Sequence, residues 1–407
     1  MIKINSPFPT PCLSLRCFKL CKDTVNHFVF IAFVLAAMST KVSAQTPADS
    51  LATDSLLLKQ IEEQMLGNDV GLGMLPSQVQ PRSIISANPD ISAIGDFGAS
   101  YINTGKRNFD AYLNEAEFSF QSVVDPYVRA DFFLSFGKDE DTHKYGATVE
   151  EGYLTSLSLP AGLQLKAGKF KSAVGRINPI HAHALPFIDL PNAYENLFGE
   201  GINDEGISLS WLVPNHAFYQ ELTAQTYAGF GESPVFIRSD KNDFLYVAHL
   251  KNFFSLGDNA TLELGFSGVS GPNDSSRFTQ VGAGDLTYKW KPLQKNTYKS
   301  FTWQSEVFYS HADLKEAQTT NALGLYSLLS LQVAKRTFLT ARYDYAQNPY
   351  APQSVHMAYS ATLGWLATEF QKIEFEGKTT TSTDEPQFYQ AWLRWIFVIG
   401  THGAHQY

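Results

Sequence analysis

Asp285-Leu286-Thr287-Tyr288-Lys289-Trp290-Lys291 places Leu286, Tyr288 and Trp290 on one face of an extended chain and charged or hydroxylated residues on the other. Leu339-Thr340-Ala341-Arg342-Tyr343-Asp344-Tyr345 repeats the pattern, with Thr340, Arg342 and Asp344 opposite the apolar set. Near the end of the chain, Leu393, Trp395, Phe397 and Ile399 alternate against Gln390, Trp392 and Arg394. A period of two is the strand period. A soluble core cannot sit on the charged face, and water cannot cover a Trp-rich face along a whole chain. Lipid outside and water inside satisfies both faces.

Working outward from these stretches, sixteen such segments follow one another: 90–102, 111–124, 127–137, 148–159, 163–172, 204–213, 219–230, 244–256, 260–270, 280–291, 300–311, 322–334, 337–346, 357–368, 371–380 and 387–400. Most are long enough for a tilted strand to cross a bilayer, and none approaches the roughly 20 apolar residues of a spanning helix. Links after even-numbered segments are mostly tight, as at Asp125-Pro126 and Lys335-Arg336. Those after odd-numbered segments are longer and polar, as at Lys138 to Ala147, Gly231 to Asp243 and Gln347 to His356. The expectation is an all-β, 16-stranded antiparallel transmembrane β-barrel. In the fifth segment Leu163, Leu165 and Ala167 share parity with Lys169 and Lys171, which predicts a bulge or early exit near Gly168.

One link breaks the rhythm. Residues 173–203 read AVGRINPIHAHALPFIDLPNAYENLFGEGIN, whereas most connections run about 2–6 residues. Leu185, Phe187, Ile188, Leu190, Leu197 and Phe198 require burial, worth about 1.5–3 kcal/mol each. A loop folded into the barrel, packing near Phe133 and Tyr153, supplies it. Pro179, Pro186 and Pro191 stiffen the backbone. Arg176, His181, His183, Asp189 and Glu195 are then expected at a pore constriction. The expected lumen lining is Lys166, Lys169, Lys171, Glu115, Glu117, Arg129, Asp131, Glu151, Lys289, Arg342, Asp344 and Arg394, a wall of interspersed signs.

The rest of the chain reads as processing and periplasmic sequence. Residues 1–44 carry Lys3, Arg16, Lys19 and Lys22, then an apolar run of about 12 residues and the small-residue site Val42-Ser43-Ala44. That is the form of a cleaved signal peptide. All three cysteines (Cys12, Cys17, Cys21) lie within it, which leaves no disulfide or Cys nucleophile beyond it. Removing its five bases and one acid from 31 Lys+Arg and 40 Asp+Glu leaves 26 against 39, a net charge of −13. Nucleic acid is a poor partner for such a chain. Residues 45–88 read as a periplasmic helix (Leu51, Leu56, Leu57, Leu58, Ile61, Met65) and a Gly/Pro/Ser/Gln linker; residues 89–407 are the barrel.

Catalytic chemistry is not visible, with no G-x-S-x-G element, P-loop or dinucleotide fingerprint. His181-Ala182-His183, with Asp189 or Glu195, has the residue types for Zn²⁺, as does His402-Gly403-Ala404-His405. Polar packing explains both pairs without a metal, so no metal or cofactor is expected.

Leu165 to Ser172 (LKAGKFKS), the Pro/His-rich stretch and Asp204-Glu205-Gly206-Ile207-Ser208, with Val149-Glu150-Glu151-Gly152-Tyr153 upstream, resemble the phosphate-selective porin (OprO/OprP-like) group. The ending Gly400 to Tyr407 is similar to porin-like barrels labelled zinc-regulated TonB-dependent outer membrane receptors. The resemblance implies lumen or loop-root positions for Lys166, Lys169, Lys171 and Arg176, and a homotrimer. An arginine ladder of a phosphate channel is not visible. Receptor barrels have 22 strands and a plug, while only 45 residues lie between the expected cleavage site and the first strand here. Together these readings imply an outer-membrane porin passing small hydrophilic solutes or ions. The alternatives are a non-conducting, ligand-specific receptor or metal-uptake barrel, and a membrane-embedded hydrolase.

Overall fold

The computed structural model describes residues 89–104, 108–138, 144–215, 217–229, 231, 233–295 and 298–400. The expected signal peptide, the helix and linker of 45–88, and His402 and His405 lie outside the described residues.

Sixteen strands form one closed antiparallel sheet. They are β1 (Asp90–Ile102), β2 (Phe109–Asp125), β3 (Val128–Lys138), β4 (Tyr145–Ser156), β5 (Leu163–Lys171), β6 (Asn203–Leu212), β7 (Tyr219–Tyr227) and β8 (Leu245–Leu256). The second half is β9 (Ala260–Pro272), β10 (Phe278–Trp290), β11 (Ser300–Asp313), β12 (Thr319–Ala334), β13 (Thr337–Asn348), β14 (Ala351–Thr368), β15 (Gln371–Ser382) and β16 (Phe388–Gly400). Each strand pairs with its sequence neighbour, and β1 closes on β16 from Ser92 opposite Gly400 to Ile102 opposite Gln390. Closure leaves no open strand edge, which a β-structure in hydrocarbon requires. No described helix is long and apolar enough to cross a membrane.

Side-chain parity runs through the wall as the sequence pattern requires. Leu339 and Trp395 are about half exposed, while Thr340, Arg342, Asp344 and Arg394 are buried. The outward face carries Ile207, Phe266, Tyr309, Leu331, Tyr359, Phe375 and Ile399, all exposed large hydrophobics. The inward face holds the charges, and part of it holds a hydrophobic cluster.

Two local expectations are corrected and one is sharpened. The link Gln347 to His356 is not a loop, because β13 and β14 continue to a turn at Pro349-Tyr350. Its polar residues are the upper rungs of an extended hairpin. Near Gly168 the irregularity is an exit and not a bulge: β5 pairs β6 without a break from Leu163 to Lys171, but its ladder with β4 ends at Lys169 opposite Gly152. Gly168 itself has φ 135, and a Cβ there would meet the backbone of Gly152 and Tyr153. Lys169 is not in the lumen, because it sits opposite Glu205 on the face that carries Leu165 and Ile207.

Candidate functional site: the segment inside the barrel

Between β5 and β6, residues 172–202 leave the wall and touch it again at strand after strand. The route begins at β7, where Gln225 Oε1 accepts from the Ala173 amide (2.9 Å) and the Ser172 hydroxyl (3.1 Å). The Gly175 amide donates to Ser267 of β9 at 2.9 Å, and Arg176 Nη1 to Glu263 at 3.0 Å. The Ile177 amide donates to Glu306 of β11 at 3.1 Å. Gly175 has φ 61, and a Cβ there would collide with the Glu306 carboxylate, so the close approach needs glycine twice over.

Four residues later the segment is at the opposite wall. His181 Nδ1 lies 2.9 Å from Glu117 of β2, and its Nε2 lies 2.9 Å from Glu151 of β4. In the ring order β2 and β11 are separated by seven strand steps one way and nine the other, close to diametrically opposed. Four residues reach at most about 14 Å, so side chains from both walls extend inward to meet the segment at this level.

The return path follows β16, β15, β13 and β12. Arg394 donates to the carbonyls of Ala182 (3.2 Å), Leu185 (3.4 Å) and Phe187 (3.1 Å) while paired with Glu374. The Ile188 amide donates to Glu376 at 2.6 Å. Asp189 is held by Arg342 Nη2 at 2.8 Å and by Lys378 Nζ at 2.5 Å, and Lys378 also reaches Asn192 at 2.7 Å. Burial alone would raise the Asp189 pKa, but Arg342 and Lys378 outweigh it and hold the carboxyl well below its usual range.

A seven-residue helix, α1 (Asn192–Phe198), completes the segment, and Gly199 at φ 59 ends it. Ala193 fits against Gly324 of β12, where an added Cβ would come within 2.7 Å of the Ala193 Cβ. Asn178 closes the segment at its base. Its amide nitrogen donates to the carbonyls of Ser172 (2.7 Å) and Ile202 (3.1 Å), and its oxygen accepts from the Ile202 amide (2.8 Å) and the Tyr194 hydroxyl (2.5 Å).

Leu185, Phe187, Leu197 and Phe198 are buried and Ile188 and Leu190 half-buried. The buried four belong to a cluster with Val247, Val269, Val281, Phe308, Tyr326 and Leu328 from β8 to β12, which Tyr153 joins at its edge and Phe133 does not. Phe198 meets Phe308 at 5.8 Å between ring centroids, and Phe187 meets Tyr326 at 6.4 Å. Against Phe133 lies His181 instead, at 4.9 Å, and Lys166 sits 4.2 Å over Tyr153. Strands β2 to β4 present carboxylates inward, which receive the imidazoles, while β8 to β12 present, beside Glu263 and Glu306, the aliphatic and aromatic side chains of that cluster.

The residues expected at an aperture face the wall. Arg176, His181, His183 and Asp189 are each within ion-pair distance of barrel carboxylates or cations; Glu195 on α1 is exposed. The expected lining residues Glu115, Glu117, Arg129, Asp131, Glu151, Lys166, Lys289, Arg342, Asp344 and Arg394 lie on inward-facing positions, and Lys171 pairs with Glu150 at 2.9 Å beside the segment. The four bases at its root therefore do not form one cluster.

His181 is surrounded by acid. Burial disfavours its charged form, but Glu117, Glu150 and Glu151 outweigh that and hold its pKa well above the ordinary histidine value. His183 Nδ1 lies 3.8 Å from Glu117 and 4.0 Å from Glu115. The expected partners Asp189 and Glu195 are not in this group. Asn178 carries no periodic or motif signal, and for Gln225, Glu150 and Lys372 strand parity or the Val149–Tyr153 stretch does not show their partners, which are Ala173, Lys171 and the Leu185 carbonyl.

No family model matches the chain. An uncharacterized protein of Aquifex aeolicus is 27% identical over 430 residues, covering 89% of this chain and 86% of that protein. Among solved structures, an anion-selective porin from Comamonas acidovorans superposes with a TM-score of 0.55 at 7% identity, covering 77% of this chain and 99% of the porin. The fold is a porin fold. The outer membrane channel DcaP of Acinetobacter baumannii gives 0.54 at 9% identity over 76% of this chain and 97% of DcaP. OmpT, an outer membrane protein of Vibrio cholerae, gives 0.53 at 10% identity over 77% and 99%.

Proposed function

We propose that the chain is an outer-membrane porin, passing small hydrophilic solutes or ions by diffusion through a barrel narrowed by residues 173–203. The crossing from Ile177 at β11 to His181 at β2 carries this reading. A chain that spans opposed walls in four residues divides the lumen at that level. Inward charges outside the crossing stay in contact with water: the side chain of Arg129 is 42% exposed and that of Lys251 is 31% exposed. Fixed anchors leave the size limit to geometry and to wall charge. Arg176, His181, His183 and Asp189 act in this account as anchors that hold the narrowing, and Glu195 faces water.

Export by a cleaved signal peptide and assembly as a homotrimer belong to the same reading; one of the structurally similar proteins, OmpT of Vibrio cholerae, was described in a trimer form. The porin group named for phosphate selectivity is a resemblance at the level of the barrel, since the bases at the root of the segment are dispersed. A second reading, a barrel that does not conduct until a ligand moves the segment, draws on the contacts to strands on every side of the lumen. Planar-bilayer recording of the folded protein separates the two. Steady openings at low voltage support the porin, and silence at all voltages supports the sealed barrel.

A further inference from the structure

The acid pocket around the two histidines has the donors and the spacing of a metal site. Glu117, His181 and His183 each offer one ligand atom, and these atoms all lie within 4.8 Å of one another. Tetrahedral Zn²⁺ with bonds of about 2.0–2.1 Å requires ligand atoms roughly 3.3 Å apart. The observed separations bracket that value: 2.9 Å from His181 Nδ1 to Glu117 Oε2, and 3.8 Å from His183 Nδ1 to the same oxygen. Glu115, 4.0 Å from His183 Nδ1, and Glu150, 3.4 Å from His181 Nδ1, stand by as further donors. Glu115, Glu117 and Glu150 themselves form a second group with the same mutual reach.

Two independent observations point to a cation. Glu117 is 99% buried at its side chain, yet its Oε1 finds no hydrogen-bond donor among the described residues. A buried carboxylate oxygen without a partner is costly; Oε2 is the oxygen that faces both imidazoles, and a metal ion held by both oxygens of Glu117 removes that cost. The second is the far nitrogen of His181, whose Nε2 lies 2.9 Å from Glu151 Oε1. A carboxylate on the nitrogen opposite the ligating one is how metal-bound histidines are oriented and made more basic. Four carboxylates (Glu115, Glu117, Glu150, Glu151) crowd this pocket, with Lys171 paired to Glu150, an acidic setting that suits a divalent cation.

We propose that Glu117, His181 and His183 form a binding site for Zn²⁺ or a similar borderline divalent ion, which fastens the segment inside the barrel to β2. Two imidazoles and carboxylates favour such an ion over Ca²⁺ and Mg²⁺, which take oxygen ligands. Glu115 and Glu150 complete the coordination, and Glu151 is a positioning residue. The site is independent of whether the barrel conducts.

The test is calorimetric titration of the folded barrel in detergent with ZnCl₂, with CaCl₂ in parallel. The expected result is one Zn²⁺ per chain and no comparable Ca²⁺ binding. His402→Ala/His405→Ala should keep the full affinity, His183→Asn and Glu117→Gln should lose saturable binding, and Glu151→Gln should weaken it by about 10–100-fold. Heat-modifiable electrophoretic mobility of each variant establishes that the barrel is folded before titration, and Glu151→Gln, which alters no ligand, remains informative if a ligand variant does not fold. Absence of saturable Zn²⁺ binding to the wild-type barrel overturns the proposal. So does binding that His183→Asn and Glu117→Gln leave intact in folded protein.

Discussion

The segment 172–202 meets the barrel in two different ways on its two sides. Toward β8 to β12, beyond the bonds that Gly175, Arg176 and Ile177 make near its root to β9 and β11, it packs Phe187, Leu197 and Phe198 against Val247, Val269, Phe308 and Tyr326. Toward β2, β4 and β13 to β16 it is held by directed bonds from Glu117, Glu151, Arg342, Glu376, Lys378 and Arg394. Apolar contact is strong but tolerant of sliding, since it depends on area and not direction. Charged hydrogen bonds are directional and fix one register, and a lost partner leaves a buried charge. The apolar side therefore keeps the segment in the lumen, and the polar side decides where it stops.

Deleting Ile180 to Tyr194 removes both kinds of contact, and it should have the largest effect. Single-channel conductance is expected to rise several-fold with weaker ion discrimination, while the barrel still folds. Asp189→Ala attacks the polar side alone. It leaves the Lys378 ammonium and the Arg342 guanidinium without their shared carboxylate, and breaking a buried pair costs about 3–5 kcal/mol. Limited proteolysis should then cut within 180–194 in an intact barrel, and channel openings should become noisy.

Phe198→Ala attacks the apolar side, at about 3–5 kcal/mol for truncating a buried Phe. That loss should lower the temperature of barrel unfolding, with resistance of the segment to proteolysis changed less than in Asp189→Ala. Equal protease sensitivity in both variants would erase the distinction between the two sides. Acid should do least of all. The folded pKa of Asp189 lies below its unfolded value of about 3.9, so its anchor contributes above that value and is lost only as pH falls through the depressed one. Segment protection measured at pH 4.5 should match that at pH 7 for this anchor.

The wall was legible because membrane and water impose one rule on every strand. Asp285 to Lys291 and Leu339 to Tyr345 declare their faces without knowledge of their neighbours, and the observed strand ends fall close to those expected from parity. The extra segment was legible as an object, from Leu185, Phe187, Leu197 and Phe198 in a connection too long to be a turn. Its placement was not. Parity says that Arg342, Glu376 and Lys378 point inward, but not that they converge on Asp189, which is more than 150 residues away in the chain. Nor does it show that Val247, Val269, Val281, Phe308, Tyr326 and Leu328 gather into one apolar patch among polar neighbours, which takes Phe187 and Phe198 away from Phe133. Asn178 was invisible for the same reason, since its four bonds go to backbone and a hydroxyl brought together only by the closed segment.

In the proposed porin the segment sets the size limit of the pore. Liposome swelling in neutral sugars of graded size tests it without reference to charge. Wild-type barrels are predicted to admit monosaccharides and to exclude larger oligosaccharides, and barrels lacking Ile180 to Tyr194 to admit both. An identical cut-off in the two folded proteins would contradict it.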